Sequence, residues 1–276
     1  MKLLVDAGNT RIKFAWLGPG PAGVPCAPQA LERDALDSLA QRVGQHVPES
    51  VHASNVAGPA VRVALEHACQ SAWGLAVQWH DGRTGQGWLR NRYSNPASLG
   101  SDRWLGLLGL IHHLQTADPA PAAGTACLLA SFGTATTIDT LVWHGLRAPA
   151  ATFLGGLILP GVTLMAHSLA RETADLPLAQ GPLADFPLDT HAAIASGIAA
   201  AQVGALLRQL RLASVQHPLA PPQVWVTGGA LPQIRAELGQ RLPDPVAQLD
   251  HPVLDGLALL AGPPHQVAGQ PPRAAR

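Results

Sequence analysis

Two apolar segments flank a short turn near the N-terminus, in the sequence LLVDAGNTRIKFAW at residues 3–16. Leu3 to Val5 form an apolar run that is typical of a buried strand. From Arg11 to Trp16, polar and apolar side chains alternate weakly, as they would in a second strand. The turn-forming triplet at residues 8–10 separates the two predicted strands. The segment therefore predicts a β-hairpin that carries Asp6 to Thr10 at its tip.

A similar pattern recurs in the second half of the chain. Residues 125–130 predict a strand, SFGT at 131–134 a turn, and residues 135–142 a second strand. Between the two halves, QTADPAPAAG at 115–124 is rich in Pro and Ala and is the best linker candidate. The repeated strand, turn and strand indicates a duplicated α/β architecture.

Periodicity places further elements in both halves. Helices are predicted at residues 31–43, 59–73, 99–114, 161–174 and 190–212, and strands at 51–55 and 224–226. We therefore predict an N-terminal domain at 1–117 and a C-terminal domain at 118–262. The tail at 263–276 is rich in Pro and Gly and is predicted to be disordered.

The composition excludes several classes of protein. Of 276 residues, 47% are hydrophobic and 13% are charged, which is typical of a well-packed chain and not of a disordered one. Lys and Arg number 18, as do Asp and Glu, so the net charge is zero. The chain lacks the excess of basic residues that is typical of nucleic-acid-binding domains. Equal numbers of acidic and basic residues suit a small-molecule enzyme that self-associates.

Three features of the sequence bear on location. The cysteines, Cys26, Cys69 and Cys127, are widely spaced without a CxxC, which favours a reducing cytoplasm over a disulfide framework or zinc site. The N-terminus reaches Asp6 after three apolar residues, too few for a signal-peptide core. The apolar run at 153–165 is interrupted by Gly and Pro and is shorter than the ~20 residues that cross a bilayer. We expect a cytoplasmic protein without a membrane span.

The tip of the predicted hairpin combines residue types that bind nucleotide phosphates. Asp6 can hold a hydrated Mg²⁺ ion, and Gly8 lets backbone N–H groups approach a ligand closely. Asn9 and Thr10 can bind phosphate oxygens, and Lys13 is one of only two lysines in the chain. An ordinary hairpin turn explains these residues about equally well, because short motifs often arise by chance.

Two later turns resemble ligand-binding segments. SFGTATTID at 131–139 offers hydroxyl and N–H groups as a second phosphate cradle, although Thr is also common in strands for packing reasons. Gly228 and Gly229 follow an apolar strand and allow a flat ligand such as adenine to lie against the backbone. A plain strand-to-helix turn explains these two glycines at least as well.

Asp102 and Arg103 are adjacent charges at the start of an otherwise apolar helix. A capping or dipole role explains Asp102 but not Arg103, because a cation is unfavourable at a helix N-terminus. An acid–base group beside an anion anchor fits both residues. Other nucleotide-binding motifs fail: neither lysine follows a glycine, as GxxxxGK[ST] requires, and Gly18 to Gly23 match GxGxxG only as a Pro-containing loop.

These motifs resemble those of the type III pantothenate kinases, which belong to the acetate and sugar kinase, Hsp70 and actin superfamily. The resemblance extends roughly from Lys2 to Ala261, and the motifs occur in the family order. They read DAGNTRIK at 6–13, NRYSNPASLGSDRW at 91–104, SFGTATTID at 131–139, FLGGLILPGVTLMAHSLARETADLPL at 153–178, DTHAAIASGI at 189–198 and TGG at 227–229.

The resemblance implies an α/β fold of two ribonuclease-H-like (actin-like ATPase) domains with a nucleotide cleft between them. It implies ATP-dependent phosphorylation of pantothenate to 4'-phosphopantothenate, the first step of coenzyme A biosynthesis, with Mg²⁺ accompanying ATP. It further implies a homodimer with pantothenate sites at the interface. No nucleic-acid or membrane partner is expected.

The resemblance also implies a role for each matching residue. Asp102 is the general base, and Arg103 is the partner of the substrate carboxylate. The ATP-binding residues are Asp6, Ala7, Gly8, Asn9, Thr10, Arg11, Ile12, Lys13, Thr134, Gly228 and Gly229. The pantothenate-binding residues are Tyr93, Gly100, Ser101, Asp102, Arg103 and Thr190, the last of which reaches the neighbouring subunit's site.

Ser131 departs from the family pattern, which has an aspartate that binds a monovalent cation at this position. A serine offers a hydroxyl but no charge, so a requirement for K⁺ or NH₄⁺ stays open. Two other functions also stay open: an enzyme of the same superfamily acting on another substrate, and a non-catalytic accessory factor in transcriptional activation. The segment from Tyr93 to Arg103 argues against the first, and the missing basic stripe against the second.

Overall fold

The structure is a computed structural model that describes residues 1–18, 25–44, 46–83, 87–242 and 246–262. The chain divides into two compact units. The first combines Met1–Ala123, His144–Phe153 and the stretch that begins at His251, and the second combines Gly124–Trp143 and Leu154–Asp250. The predicted domains at 1–117 and 118–262 are linear, whereas each unit contains more than one stretch. The predicted tail at 263–276 lies outside the described residues.

Within the described ranges the chain forms eleven strands and seven α-helices. The strands are β1 (Lys2–Ala7), β2 (Arg11–Leu17), β3 (Pro25–Glu32), β4 (Val51–Asn55), β5 (Val77–Trp79), β6 (Leu89–Asn91), β7 (Ala126–Phe132), β8 (Ala135–Trp143), β9 (Ala151–Pro160), β10 (Gln223–Thr227) and β11 (Val246–Gln248). The helices are α1 (Leu39–Val43), α2 (Pro59–Trp73), α3 (Ser101–Thr116), α4 (Val162–Glu172), α5 (Thr190–Gln216), α6 (Leu231–Arg241) and α7 (Pro252–Ala261).

The sheet of the first unit has the strand order β3-β2-β1-β4-β5. The first three strands form an antiparallel meander, and β4 and β5 add to it in parallel. The predicted hairpin is therefore confirmed as β1 and β2. Its turn lies at residues 8–10, at the end of β1 where β4 also ends.

The second unit repeats this order as β9-β8-β7-β10-β11. β7 and β8 are antiparallel, and β10 and β11 extend the sheet from β7 in parallel. The first residues of β9, Ala151 to Phe153, pair in parallel with β6, and both belong to the first unit. The shared order confirms the duplicated α/β architecture that the sequence predicted.

Local signals explain why the bounds of α2 could be predicted. The helix begins at Pro59, whose fixed φ suits the first helical position, and ends before Gly74, which adopts the left-handed conformation at φ 68°. Its apolar positions are four residues apart and pack into the core of the first unit: Val61, Leu65 and Cys69.

The helix predicted at residues 31–43 is wrong over its first part. Leu31 is still part of β3, which ends at Glu32; Arg33–Ser38 form a 3₁₀ helix, and only Leu39–Val43 are α-helical. The apolar side chains at near-helical spacing, Leu31, Leu36 and Leu39, are nevertheless buried in one cluster. A strand end followed by a tight 3₁₀ turn presents the same residues to the core, so periodicity alone could not separate the two arrangements.

α3 and α7 cross at a very short distance within the first unit. A Cβ atom on Gly109 of α3 would lie 2.0 Å from the carbonyl oxygen of Pro252, and one on Gly256 of α7 would lie 2.0 Å from that of Leu105. The backbones therefore touch at both glycines. This crossing anchors α3, whose first turn carries Asp102 and Arg103. The sequence did not predict α7.

α5 is the single helix among the described residues with the length and apolar character that a membrane span requires, at a mean hydropathy of 1.4. In its most apolar window, 39% of the residues are buried. Val203 and Leu206 of α5 pack into the core of the second unit, as expected of the core helix of a globular domain. The expectation that the chain lacks a membrane span stays a prediction.

Candidate functional site

Asp6 lies near the end of β1, opposite Lys13 on β2. Its side chain is 8% exposed, and one of its carboxylate oxygens, Oδ1, is buried without a hydrogen-bond partner among the residues that the structure describes. Burial raises the pKa of Asp6 to about 6, opposed by the charge of Lys13 and reinforced by that of Asp102. The structure thus brings Asp6 and Asp102 within electrostatic reach of each other.

The hairpin turn after Asp6 is tight. The backbone N–H of Gly8 donates to the carbonyl oxygen of Arg11 at 3.1 Å, and a Cβ atom on Gly8 would lie 3.0 Å from the same oxygen. Asn9 and Thr10 are exposed at the tip, where they can meet a ligand. The predicted ATP-binding residues Ala7 and Ile12 are fully buried in the core and can contribute only backbone groups.

Asp102 lies in the first turn of α3 and is partly buried. Its Oδ1 accepts a hydrogen bond from the backbone N–H of Arg103 at 2.8 Å. Burial raises the pKa of Asp102, and the hydrogen bond and the positive charge of Arg103 oppose that rise. Gly100 precedes the helix, and a Cβ atom there would lie 2.8 Å from Oδ1 of Asp102. A glycine before the helix therefore leaves room for the carboxylate.

Arg103 is a buried cation with 7% exposure. Its Nη1 donates to the hydroxyl oxygen of Tyr93 at 3.0 Å, and its guanidinium carbon lies 5.9 Å from the Tyr93 ring and 6.0 Å from the Phe153 ring. The two rings are 5.5 Å apart. A guanidinium held over aromatic faces presents a planar, permanently charged fork, which is the kind of group that recognises a carboxylate.

Ser101, predicted to bind substrate, has its side chain engaged by the fold. Its hydroxyl lies 2.9 Å from that of Ser54 and donates to the carbonyl oxygen of Asn55 at 3.3 Å. Both partners are on β4, so Ser101 ties the start of α3 to the sheet. Its backbone N–H is one of those that an α-helix leaves without an intrahelical partner at its N-terminus.

In the second unit, the turn at residues 131–134 is braced from two sides. The backbone N–H of Gly161 donates to the carbonyl oxygen of Thr134 at 3.0 Å, and that of Ala230 donates to the carbonyl oxygen of Phe132 at 2.9 Å. Gly228, at φ +109°, passes so close that a Cβ atom would lie 2.2 Å from the Phe132 oxygen. The strand end that leads into the turn of Thr134 therefore contacts the predicted Gly228–Gly229 segment at Phe132.

Thr190, predicted to bind substrate, is the first residue of α5. The side chain of Asp189 caps this helix by accepting a hydrogen bond from the backbone N–H of Ala192 at 2.9 Å. Thr190 lines an open cavity of about 800 Å³ in the second unit, formed by α4, α5 and the segment before α5. Most of the lining is apolar: Met165, Leu169, Leu176, Pro187, Leu188, Ala193, Ile194, Ile198 and Ala201.

Sequence comparison identifies the family of this chain. The profile of the type III pantothenate kinase family matches residues 2–211, which is well over half of the chain. The chain belongs to the type III pantothenate kinase family. A type III pantothenate kinase of Bordetella petrii is 45% identical over 277 residues, covering 96% of this chain and 98% of that protein. One from Bordetella bronchiseptica is 42% identical over 275 residues, covering 95% and 97%.

Solved structures support the fold of this type III pantothenate kinase family member. A protein from Campylobacter jejuni described as a Baf family transcriptional activator matches with a TM-score of 0.55 at 16% identity, covering 94% of this chain and 96% of that one. A 2-dehydro-3-deoxygalactonokinase from Sinorhizobium meliloti matches with a TM-score of 0.52 at 16% identity, covering 95% and 98%. These likenesses concern the fold alone, and they confirm the predicted α/β architecture.

The two positions predicted to bind metal ions, Asp6 and Ser131, offer different ligand atoms. The described residues contain no group of three or more His, Cys, Asp or Glu side chains arranged to hold a metal ion. Mg²⁺ in kinases is often bound by one or two carboxylates together with the phosphates, and the buried, unpartnered oxygen of Asp6 fits that role. Ser131 is partly buried at the end of β7 and supplies a neutral hydroxyl.

Two contributors to the site escaped the sequence analysis. Phe153 packs against Tyr93 and Arg103, and Gly161 braces the turn that carries Thr134. Both lie in the segment FLGGLILPGVTLMAHSLARETADLPL, which resembled the type III pantothenate kinase family without an assigned role. A glycine directly after the strand that ends in Pro160 was the available signal for Gly161. Nothing local distinguishes Phe153 from other core aromatic residues.

Proposed function

We propose that this chain transfers the γ-phosphoryl group of ATP to the primary hydroxyl of pantothenate, forming 4'-phosphopantothenate in the first step of coenzyme A biosynthesis. The observation that carries the proposal is the Asp102–Arg103 pair at the start of α3, in a chain that belongs to this family. A carboxylate of raised pKa lies beside a guanidinium that is oriented by Tyr93 and Phe153. This arrangement suits an alcohol substrate that also carries a carboxylate.

Asp102 is assigned as the general base. Its burial weakens the solvation of the carboxylate, which makes the carboxylate a better proton acceptor for the attacking hydroxyl. Phosphoryl transfer is catalysed mainly by positioning and electrostatic stabilisation, and the base is needed to orient the alcohol and to take its proton as the new bond forms.

Arg103 and Tyr93 are assigned to the pantothenate carboxylate. The guanidinium of Arg103 is a planar fork of N–H donors that matches the geometry of a carboxylate, and its bond to the Tyr93 hydroxyl fixes its orientation. The buried setting strengthens a charge-assisted bond to a carboxylate. Gly100 and the backbone of Ser101 complete the assigned substrate segment, and Thr190 is assigned to the substrate bound to the neighbouring subunit.

Two groups of residues are assigned to ATP. In the first, Gly8, Asn9 and Thr10 offer backbone and side-chain donors to phosphate oxygens, and Lys13 supplies positive charge. In the second, Thr134 contributes a hydroxyl, and Gly228 and Gly229 leave the backbone open to adenosine. Mg²⁺ accompanies ATP and neutralises developing phosphate charge when bound, and Asp6 is the residue that would hold it.

We further propose that the chain acts as a homodimer in the cytoplasm. The cavity beside Thr190 is open and apolar, and the neighbouring side chains of Leu188 and Phe186 are 98% and 89% exposed. Leu164 on α4 adds a further exposed apolar side chain. Exposed apolar side chains beside an apolar cavity are typical of a protein interface. A second copy covering this face would give Thr190 its assigned role.

The likeness to the transcriptional activator from Campylobacter jejuni does not favour a regulatory function. At 16% identity it concerns the fold alone. The zero net charge also offers nucleic acid no electrostatic footprint.

The test is ADP release by the purified full-length chain with Mg-ATP, with and without pantothenate, in potassium and in sodium buffers. Pantothenate-dependent release supports the kinase, and the buffer comparison reports whether Ser131 leaves a monovalent cation requirement. If folded protein that still binds Mg-ATP releases no ADP in either buffer, pantothenate is not the substrate and another alcohol takes its place.

A further inference from the structure

Gln202 is a polar side chain in the interior of the second unit, on the long apolar helix α5. It has 0% exposure, and its neighbour Val203 belongs to the apolar core. An amide is costly to bury unless its hydrogen bonds are made inside the protein. Its partners therefore indicate what the residue does.

Gln202 fastens the corner between β9 and α4. Its Nε2 donates to the carbonyl oxygen of Pro160, the last residue of β9, at 2.9 Å. The same nitrogen lies 3.3 Å from the sulfur of Met165 in the first turn of α4. The Oε1 of Gln202 is buried without a hydrogen-bond partner among the described residues, so the Nε2 side of the amide makes the specific contacts.

The corner held by Gln202 touches the turn at residues 131–134. The backbone N–H of Gly161, next to Pro160, donates to the carbonyl oxygen of Thr134 at 3.0 Å. A Cβ atom on Gly161 would lie 2.1 Å from the carbonyl oxygen of Gly133 and 2.6 Å from that of Thr134. A displacement of the corner is therefore transmitted directly to the backbone of the turn, because no space separates them.

We propose that Gln202 is a positioning residue for nucleotide binding, acting through the Pro160–Gly161 corner on the turn that carries Thr134. The inference rests on the proposed function, since it takes this turn to bind the phosphates of ATP. A methionine at residue 202 fills a similar volume but offers no N–H group to Pro160. Without that bond the corner shifts, and the donors of the turn no longer meet the phosphate oxygens at hydrogen-bond distance.

The test compares Gln202→Met with Gln209→Met in the full-length chain. Gln209 lies two turns further along α5, is partly buried and is outside the assigned nucleotide and substrate residues. Three quantities are measured: the Kd of Mg-ATP by calorimetry without pantothenate, the KM values of both substrates, and amide hydrogen exchange in peptides that cover residues 126–137. Thermal melting verifies folding.

The expected result is an increase of about tenfold in the Kd and KM of Mg-ATP for Gln202→Met, within the ~10²-fold range for a misplacement of about 1 Å. Exchange becomes faster in residues 126–137, the KM of pantothenate stays within about twofold, and Gln209→Met matches the wild type. If Gln202 had a purely structural role, the substitution would lower the melting temperature, and the KM of Mg-ATP would not rise more than the KM of pantothenate.

Other outcomes overturn the inference in distinguishable ways. Wild-type Mg-ATP affinity in folded Gln202→Met contradicts the positioning role and leaves the kinase assignment intact. If Gln202→Met does not fold, Gln202→Asn replaces it, because the shorter amide cannot reach Pro160. Failure of both to fold assigns Gln202 to stability alone. If the wild-type chain itself does not bind Mg-ATP, the proposed function fails together with this inference.

Discussion

Asp102 combines burial with a helix N-terminus, two influences that act in opposite directions on its carboxylate. Burial disfavours the charged form, whereas the partial positive charge of the first turn of α3 and the N–H of Arg103 favour it. A poorly solvated carboxyl group of raised pKa therefore lies beside a buried guanidinium. Because few water molecules solvate this group, it can accept a proton with little rearrangement of solvent.

Replacing Asp102 by Asn tests this role. Asn keeps the size and the hydrogen bond from Arg103 but cannot accept the proton, so we expect kcat to fall by about 10²–10⁴-fold with an unchanged melting temperature. Steady-state kinetics and thermal melting are the measurements. Asp34→Asn, an exposed carboxylate of the same unit, is the control and should be fully active. Wild-type turnover in Asp102→Asn would remove the residue from the mechanism.

His52 is a buried residue whose titration makes stability depend on pH. Its Nδ1 lies 3.0 Å from Nε2 of His80, and its side chain is 6% exposed. Burial lowers the pKa of His52 to about 4, with the charges of His80 and Lys2 acting in the same direction. The unfolded chain therefore binds a proton near pH 6.5 that the folded chain does not bind until about pH 4.

Stability should accordingly be lost as pH falls from about 6.5 towards 4, by at most about 3 kcal/mol from this group. We expect His52→Gln to flatten the fall in melting temperature over that range relative to the wild type. His67→Gln, a substitution of an exposed histidine on α2, should leave the slope as it is. An unchanged slope in His52→Gln would assign the acid sensitivity to other groups.

The residues proposed for the candidate site fall into two groups, according to whether neighbouring residues in the sequence reveal their role. Asp102 and Arg103 could be predicted because two charges at the start of an apolar helix need an explanation. Asp6, Gly8 and Thr134 could be predicted from turn chemistry next to apolar strands. Phe153, Gly161 and Gln202 could not, because each acts through a partner that is distant in sequence.

At the scale of elements, α3 depends on α7 for its position. The two glycines at the crossing, Gly109 and Gly256, bring backbone against backbone. Lys2 adds a link within the same unit, since its Nζ donates to the carbonyl oxygen of Ala261 at the end of α7. The helix that carries Asp102 is thus held by the last helix described.

We expect Gly256→Ala to destabilise the protein, because its Cβ atom would overlap the carbonyl oxygen of Leu105. Overpacking of this kind costs about 1–3 kcal/mol, which lowers the melting temperature by roughly 2–12 °C. Gly239→Ala on α6 is the matched control. Its Cβ atom would meet nothing within 4 Å, so that substitution should be neutral or slightly stabilising. Equal melting temperatures for the two variants would contradict the close crossing.

Elements with their own caps were predicted best. α2 has Pro at its start and a left-handed Gly after its end, and its bounds matched. Residues 31–43 lack such boundary signals, and apolar spacing alone misassigned the end of β3. α7 was missed although Pro252 begins it and Gly262 follows it, because most of its residues are buried and it therefore shows no one-sided apolar spacing.

At the scale of the whole molecule, the duplicated topology could be predicted from the sequence. The assignment of chain segments to the two compact units could be predicted only in part. Two turns of similar chemistry, around Gly8 and Gly133, indicated the repeat. The sequence could not indicate that His144–Phe153 and α7 pack with the first unit. That arrangement depends on contacts such as those of Phe153 with Arg103 and of Gly256 with Leu105.

The proposed dimer can be tested on its apolar face. We expect Leu188→Asp to shift the protein from dimer to monomer in size-exclusion chromatography with light scattering, because a charge would be buried against the second copy. Leu219→Asp is the control, since Leu219 is 83% exposed in the second unit and does not line the cavity. If Leu188→Asp remains a dimer, the interface lies elsewhere on the molecule. If the wild-type protein is itself a monomer, the proposed dimer is contradicted.

The return of α7 to the first unit has a consequence for synthesis on the ribosome. A nascent chain that has emerged only as far as Ala123 already contains α3 but not the helix that packs against its glycine face. At ~5–20 residues per second, α7 follows only after a delay on the order of ten seconds. The apolar face of α3 is unsatisfied during this interval. We therefore expect the first unit to acquire its final structure only after the second unit and α7 have been made.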